Sequence, residues 1–233
     1  MINLINDHVV TDLVKILKLY NNGESFMLKK LFYELDEEKR ERITNVVLRE
    51  FAQYSYNESS TNRIVKNAGI GKGSLFKYFQ NKQDMYFYIL DYIINDLAVD
   101  LKDEIANLPG DLFVRTIKYA ELEFTWYIQN PDEYKLLKRA FVKNDTEIYK
   151  ETKAKYASMS EEYYYKLFED INMEQFQFKR EKKKLLDILK WLLKGFNEEF
   201  IEEVESEDNI NSLKDEYLRR LVEYIEILKE GLK

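Results

Sequence analysis

Apolar residues recur at intervals of three and four along most of the chain, which is the spacing of one face of an α-helix. Only 7 Gly and 2 Pro occur, so residues that interrupt helices or form strand turns are few. The pattern therefore predicts an all-α protein. The predicted helices cover approximately residues 9–20, 36–54, 60–68, 72–79, 82–107, 112–129, 130–143, 145–170, 178–206 and 210–228.

Three helix boundaries carry specific start or stop signals. Asp36 begins a run of three acids, and the positive end of the helix dipole favours acids in a first turn. Gly69 is suited to the left-handed conformation that ends a helix at a tight turn. Asn130 can cap a helix whose first position is Pro131. These signals predict separate helices on either side of residues 69 and 130.

Composition excludes several classes of functional site. Cysteine is absent and His8 is the single histidine, which excludes disulfides, thiolate or histidine metal clusters and a Ser-His-Asp triad within one chain. No arrangement of carboxylates or lysines supports catalysis, and we expect neither an enzyme, a metal site nor a cofactor. No apolar run reaches membrane-spanning length, and no basic segment precedes an apolar core at the N-terminus. We expect a cytoplasmic protein without a membrane partner.

Residues 1–35 are predicted to be an N-terminal extension, with two interpretations. The helix at 9–20 ends at the stop signal Asn21-Asn22-Gly23, as a genuine helical extension would. Alternatively, Gly23-Glu24 can be encoded by a purine-rich ribosome-binding sequence, which would place the natural start at Met27. Both interpretations stay open.

Residues 60–79 stand out in a chain of net charge -7 because they contain basic residues and no acidic ones. Two helix-length patterns meet there at a glycine-bearing turn, as in a helix-turn-helix. The apolar positions are Ile64, Val65, Ala68, Ile70, Leu75 and Phe79. The basic positions are Arg63, Lys66, Lys72 and Lys77, with Lys82 just beyond. A basic face on a helix-turn-helix predicts binding to double-stranded DNA.

A longer run, from Lys39 to Met85, carries a family pattern. Its positions are Arg40, Ile43, Val47, Phe51, Tyr56, Ser60, Thr61, Ile64, Val65, Ala68, Gly69, Ile70, Lys72, Gly73, Ser74, Leu75, Phe76, Tyr78, Phe79 and Lys82. In this order and spacing they resemble the DNA-binding domain of the TetR/AcrR family of transcriptional regulators. Val65 departs from the usual alanine and Phe76 from the usual tyrosine. The resemblance implies a three-helix DNA-binding domain at residues 36–82, with the helix-turn-helix at 60–79.

The resemblance also implies roles for individual residues. Thr61 and Tyr78 would donate hydroxyl hydrogen bonds to phosphate oxygens, and Lys82 would add a charge at a helix terminus. The residues that would face the major groove are Lys72, Gly73, Ser74 and Lys77. Lys72 is the best candidate for guanine, because a lysine can reach the two groove acceptors of that base. Phe76 carries the least weight among the predicted DNA-binding residues because it lacks the hydroxyl of the usual tyrosine.

Residues 83–233 show no motif, and there the resemblance implies only a larger helical domain that binds a ligand and dimerises. The last two helices carry broad apolar faces, formed by Leu185, Leu186, Leu189, Leu192, Leu193 and Phe196 and by Leu213, Tyr217, Leu218, Leu221, Ile225 and Leu228. These faces can form a four-helix bundle between two subunits, or they can pack within one subunit. We expect the homodimer, because one half-site alone would hold DNA weakly and a two-fold dimer suits a near-palindromic operator.

Aromatic residues are candidates for an effector pocket in this domain: Tyr119, Trp126, Tyr127, Phe141, Tyr164 and Tyr165, together with Phe124 and Trp191. Core packing explains each of them individually, but together they allow a cavity for a small hydrophobic or aromatic effector. Glu121 and Glu123 would suit a lipophilic cation, although solvated helix positions also explain them. The acidic run at 198–208 resembles a metal site only superficially, and we expect a solvated face.

The sequence thus predicts a ligand-responsive, homodimeric DNA-binding regulator, and we expect it to act as a repressor. One alternative is a helical protein-interaction scaffold without DNA binding, which the intact basic cluster disfavours. An all-helical enzyme ranks last.

Overall fold

The computed structural model describes residues 30–141, 146–174, 176, 181–204 and 210–232, and the regular structure within these ranges is helical. The predicted all-α fold class is confirmed. The helices are α1 (Lys30–Tyr33), α2 (Glu37–Gln53), α3 (Thr61–Ala68), α4 (Lys72–Tyr78), α5 (Lys82–Asp100), α6 (Lys102–Ala106), α7 (Leu112–Gln129), α8 (Pro131–Phe141), α9 (Glu147–Leu167), α10 (Lys182–Val204) and α11 (Ile210–Leu232).

The helix boundaries at Asp36 and Gly69 lie where the sequence predicted them, but Asp36 is the capping residue before the helix and not a member of its first turn. The Asp36 side chain accepts a hydrogen bond from the backbone N–H of Lys39 at 2.9 Å, which caps α2. Gly69 ends α3 at φ 64° and ψ 35°, in the left-handed region that glycine enters without steric cost. These two residues set the helix boundaries through their own local chemistry.

One predicted helix is wrong in its extent. The sequence predicted a continuous helix over 82–107, but α5 ends at Asp100 and the short α6 follows. Leu101 separates them with φ -90° and ψ 6°, outside the helical range. Its side chain is buried, so the apolar periodicity continues across the break and cannot reveal it. The predicted helix at 9–20 and the alternative start at Met27 lie outside the described residues.

The chain divides into two compact units. The first contains residues 30–100 and 130–161, and the second contains residues 101–129 and 162–232, apart from the positions not described. In this division by packing, α5, α8 and the first part of α9 belong to the same unit as the helix-turn-helix, whereas the domain boundary predicted from the sequence lies after residue 82.

The first unit is built around α2, which packs against α3, α5 and α8. Its core includes Ile43, Phe51, Ile64 and Leu75. Phe32 of α1 is fully buried, with its ring centroid 5.1 Å from that of Phe79. Residues 30–35, which the sequence analysis placed in an extension, therefore contribute to the packing of this unit.

The second unit packs α7 against α11 and α10 against α11. Arg115 on α7 is buried and donates hydrogen bonds to the carbonyls of Pro109 and Leu167 and to the carboxylate of Asp170. The predicted apolar faces of α10 and α11 are largely consumed inside the chain: Leu185, Leu186, Leu189, Phe196, Leu213, Tyr217, Leu221 and Ile225 are all buried. For these residues, the interpretation that the faces pack within one subunit is the correct one.

Candidate nucleic-acid interface

Helices α3 and α4 form a helix-turn-helix around the turn at residues 69–71. The apolar sides of the two helices face the core, where Ile64, Ala68, Leu75 and Phe79 are buried. These four residues are among the apolar positions of residues 60–79, and they form part of the core. Their burial turns the opposite, polar side of both helices towards solvent.

The exposed side of the helix-turn-helix is basic. Lys66, Lys72 and Lys77 are exposed, and no ion pair to any of the three is present among the described residues. Gly73 is also exposed, and a Cβ built there meets no atom within 4 Å, so the surface of α4 is open at this point. Thr61 and Ser74 are half-buried at the edge of the surface. The structure thus brings most of the predicted DNA-binding residues to one pair of helices.

Two predicted contact residues are less accessible. Tyr78 is only 8% exposed, with its ring 5.8 Å from that of Phe32, and Phe76 is half-buried. The phosphate contact of Tyr78 stays a prediction. It requires that the hydroxyl be in the small part of the side chain that solvent can reach.

The ammonium of Lys82 is already engaged. Nζ donates hydrogen bonds to the carbonyl oxygens of Ser59 at 2.8 Å and Asn57 at 3.3 Å, and it lies 4.8 Å from the ring centroid of Tyr56. Burial lowers the pKa of Lys82. The predicted phosphate contact of Lys82 is untested, but its side chain has a structural partner that the sequence did not reveal.

Arg63 differs from the other basic residues of the stretch. Its guanidinium forms a salt bridge of 2.6 Å with Glu50 of α2, whose side chain is buried. Residues 60–79 contain no acidic residue, so the acidic partner of Arg63 comes from another helix. The burial of Glu50 could have been predicted from the sequence. Glu50 lies three residues after Val47 and therefore on the side of α2 that faces the core.

The candidate effector residues do not form one group. Tyr119, Trp126, Tyr127, Tyr164 and Tyr165 belong to the second unit, whereas Phe141 belongs to the first and is 42% exposed. The Tyr164 hydroxyl donates to the carbonyl of Leu186, and the Tyr165 hydroxyl donates to the carboxylate of Asp187. Packing between α9 and α10 thus accounts for these two tyrosines.

The two glutamates of α7 have different environments. Glu121 accepts a hydrogen bond from Lys118 at 2.6 Å, which lowers its pKa, and Lys214 lies 3.6 Å away. Glu123 instead accepts a hydrogen bond from the Tyr119 hydroxyl at 2.7 Å. Burial raises the pKa of Glu123 to about 7.

Tyr163 completes this cluster, with its hydroxyl 3.3 Å from that of Tyr119. Tyr163 was not among the residues predicted for an effector pocket, because helical spacing alone does not distinguish it from the tyrosines that follow. All three side chains are half-buried, and we call Tyr119, Glu123 and Tyr163 the half-buried polar cluster of the second unit.

A separate groove of about 230 Å³ lies in the first unit, lined by Arg40, Glu41, Thr44, Asn45, Tyr88 and Tyr92. No predicted effector residue lines it. Across the described ranges, no cluster of His, Asp or Glu suits a metal ion, and no helix has the length and apolarity needed to cross a membrane. The acidic run at 198–208 falls largely outside the residues whose side chains are described.

Known proteins match both parts of the chain. A model of bacterial regulatory proteins of the tetR family matches residues 43–89, and a model of the tetracyclin repressor-like C-terminal domain matches residues 110–233. A crystal structure of a TetR family transcriptional regulator from Chloroflexus aurantiacus aligns with a TM-score of 0.59 and 24% identity, over 88% of this chain and 97% of that chain. This likeness shows a shared fold.

Curated relatives match a shorter segment. An HTH-type transcriptional regulator of Staphylococcus aureus (strain bovine RF122 / ET3-1) is 34% identical over 65 residues, which is 28% of this chain and 35% of the relative. Another, from S. aureus strain USA300, is 35% identical over 54 residues, 23% of this chain and 29% of the relative. The chain thus matches about a third of the length of these relatives. Because one family model matches the helix-turn-helix with its basic exposed face and the other matches residues 110–233, the chain belongs to the TetR family of transcriptional regulators, which bind DNA and are generally not enzymes.

Proposed function

We propose that the protein is a homodimeric repressor that binds a near-palindromic operator and releases it when a small-molecule effector binds. The observation that carries DNA binding is the exposed lysine surface of α3 and α4 in a chain of net charge -7. Lysines that neutralise phosphates release counterions, so a local basic surface binds DNA even when the whole protein is acidic.

Exposed apolar residues on α10 and α11 support the dimer. On α10, Ile188 and Trp191 are 42% and 66% exposed, and Gly195 follows on the same helix face. On α11, Ile227 is 70% exposed, and Tyr224 and Gly231 lie three residues before it and four after it. A glycine lets two helix backbones approach closely, and large exposed apolar residues are typical of a contact surface.

The half-buried polar cluster of the second unit supports an effector site. The Glu123 carboxyl has one hydroxyl partner, Tyr119, and no ion pair to it is present in the described ranges. A cationic or amine-bearing hydrophobic molecule would offer this carboxyl a charge partner and the tyrosine rings a favourable contact. We propose Glu123, and not Glu121, as the acid that recognises such an effector, because Glu121 already has lysine partners.

Release would follow from a population shift. An effector that binds more tightly to one conformation of the dimer raises the population of that conformation. If the favoured conformation spaces the two recognition helices differently from adjacent major grooves, operator affinity falls.

The test is a titration of the full-length protein against the DNA upstream of its own gene and against a scrambled duplex, at several salt concentrations. We expect tighter binding to the upstream DNA, two chains per operator and a steep salt dependence. Equal, weak binding to both duplexes without salt dependence would favour the scaffold alternative.

A further inference from the structure

Helix α3 begins without a capping side chain of its own. Ser60 occupies the N-cap position, but its side chain makes no capping hydrogen bond. The carboxylate of Glu50, on α2, instead accepts the backbone N–H of Ser60 at 2.6 Å. The first N–H groups of a helix lack intrahelical partners and carry a partial positive charge, so a carboxylate at this point stabilises the start of α3.

The same carboxylate holds Arg63. Oε1 of Glu50 accepts hydrogen bonds from Nη2 of Arg63 at 2.6 Å and from Nε at 2.9 Å. Nη2 also donates to the carbonyl of Glu58 at 2.8 Å, in the loop before α3. The planar guanidinium presents several donors in one rigid arrangement, which allows a single side chain to hold a carboxylate and a carbonyl together.

The ring of Tyr54 completes the arrangement. It lies at the end of α2, and the guanidinium carbon of Arg63 is 3.9 Å from the ring centroid. Arg63 therefore joins the end of α2, the following loop and the first turn of α3. These elements determine where Thr61, the predicted phosphate-binding residue of α3, is placed.

Burial of the partner charge separates Arg63 from the exposed lysines. Glu50 is 4% exposed, so its carboxylate depends on Arg63 and on the Ser60 N–H for compensation. The guanidinium charge is thus balanced within the protein, whereas Lys66, Lys72 and Lys77 have no ion pair in the described ranges.

We propose that Glu50 and Arg63 are positioning residues for DNA binding. They hold the start of α3 in the orientation in which Thr61 and the helix N-terminus meet the DNA backbone, and Arg63 neutralises no phosphate itself. This inference rests on DNA binding by the helix-turn-helix and is independent of the dimer and effector proposals.

The experiment is a double-mutant cycle on full-length protein with Arg63→Gln, Glu50→Gln and the double variant. The probe is the duplex that the wild-type protein selects from a random-sequence pool. Affinity is measured at several salt concentrations, and helicity and Tm are measured for each free variant. Lys77→Gln, alone and with Glu50→Gln, is the matched control for loss of one positive charge.

Arg63→Gln is expected to weaken binding about tenfold, as a coupling of about 1.4 kcal/mol gives, with the salt slope unchanged. In the Glu50→Gln background the same change should cost less than about twofold, because the partner charge is gone. Lys77→Gln should reduce the magnitude of the salt slope by about 0.9 for each bound chain and should cost the same affinity in both backgrounds.

Three results would overturn the proposal. A fall in salt slope for Arg63→Gln would make Arg63 a phosphate contact. If Arg63→Gln weakened DNA binding equally with and without Glu50→Gln, Arg63 would not act through Glu50. A lower Tm with wild-type affinity would reduce the pair to a stability role. If Arg63→Gln does not fold, Arg63→Lys, which keeps the charge but not the planar fork, must show weaker binding with an unchanged slope.

Discussion

The Nζ atom of Lys82 donates a hydrogen bond of 2.8 Å to the carbonyl of Ser59, which ties the first residue of α5 to the loop that leads into α3. The sequence pointed to a phosphate contact for this lysine, but the folded chain gives it backbone acceptors. Hydrogen bonds within the protein therefore hold the Lys82 side chain in place at the helix-turn-helix.

We expect Lys82→Met to lower the free energy of unfolding by about 1–3 kcal/mol, because two carbonyl acceptors lose a charged donor. Urea unfolding followed by far-UV circular dichroism measures the change. Lys77→Met is the control, since that exposed side chain makes no ion pair in the described part of the chain. Equal stability of both variants would show that the two hydrogen bonds of Lys82 contribute little.

Lys72→Ala should weaken specific DNA binding by about 1–3 kcal/mol and relax the base preference at one position of each half-site. The reason is that Lys72 is exposed at the start of α4, where a lysine can reach guanine acceptors. Competition binding with single-base variants of the selected duplex measures both effects. Unchanged affinity and preference would remove Lys72 from base readout.

Arg115→Ala should destabilise the second unit by about 3–5 kcal/mol, because it leaves the Asp170 carboxylate and two carbonyls without their donor. Both tryptophans of the chain, Trp126 and Trp191, lie in this unit, so tryptophan fluorescence during urea unfolding reports on it. Arg219→Ala is the control, since its ion pairs with Glu216 and Glu223 are solvent-exposed and should contribute far less to stability than the pair of Arg115 and Asp170.

Glu123 should make stability depend on pH. Burial raises its pKa from 4.5 to about 7, so between these values the folded protein keeps a proton that the unfolded chain releases. The free energy of unfolding contributed by this group therefore falls as pH rises from about 4.5 to 7 and is flat above that. Fluorescence-monitored urea unfolding at several pH values measures it.

Glu123→Gln removes the titrating group and keeps a hydrogen-bond acceptor for Tyr119. The variant should be more stable than the wild type at pH 8, by roughly 1–2 kcal/mol after allowance for partial solvent access, and equally stable at pH 4. Glu121→Gln is the control and should show the opposite sign, because its pKa is lowered by Lys118. A wild-type pH profile in Glu123→Gln would contradict the assignment.

Trp191→Asp or Ile227→Asp should convert the proposed dimer to monomers, because a charge placed in an apolar contact surface is left without a partner. Sedimentation velocity at micromolar concentration measures the association state. Val114→Asp is the control, an exposed valine on α7 of the same unit. If the aspartate variants at 191 and 227 sediment like the wild type, the dimer surface lies elsewhere.

Much of the fold and of the candidate site follows from the sequence alone. Helix periodicity, the helix start near Asp36 and the Gly69 turn are local properties, and the structure has each of them where the sequence predicts it. The exposed Lys72 and Lys77 also follow, since the buried side of a short amphipathic helix determines its exposed side. The break at Leu101 could not be predicted, because the buried pattern runs through it unchanged.

Tertiary structure decided which charged side chains have a charged partner within the protein. In the sequence, Arg63 and Lys72 are equivalent cations in one basic stretch, and Glu121 and Glu123 are equivalent acids on one helix. The fold pairs Arg63 with a buried carboxylate thirteen residues away. It gives Glu121 lysine partners, whereas Glu123 has, within the described ranges, a tyrosine hydroxyl as its partner. Periodicity specifies the side of a helix on which a residue lies, whereas its partner and its solvation depend on which other segment of the chain packs there.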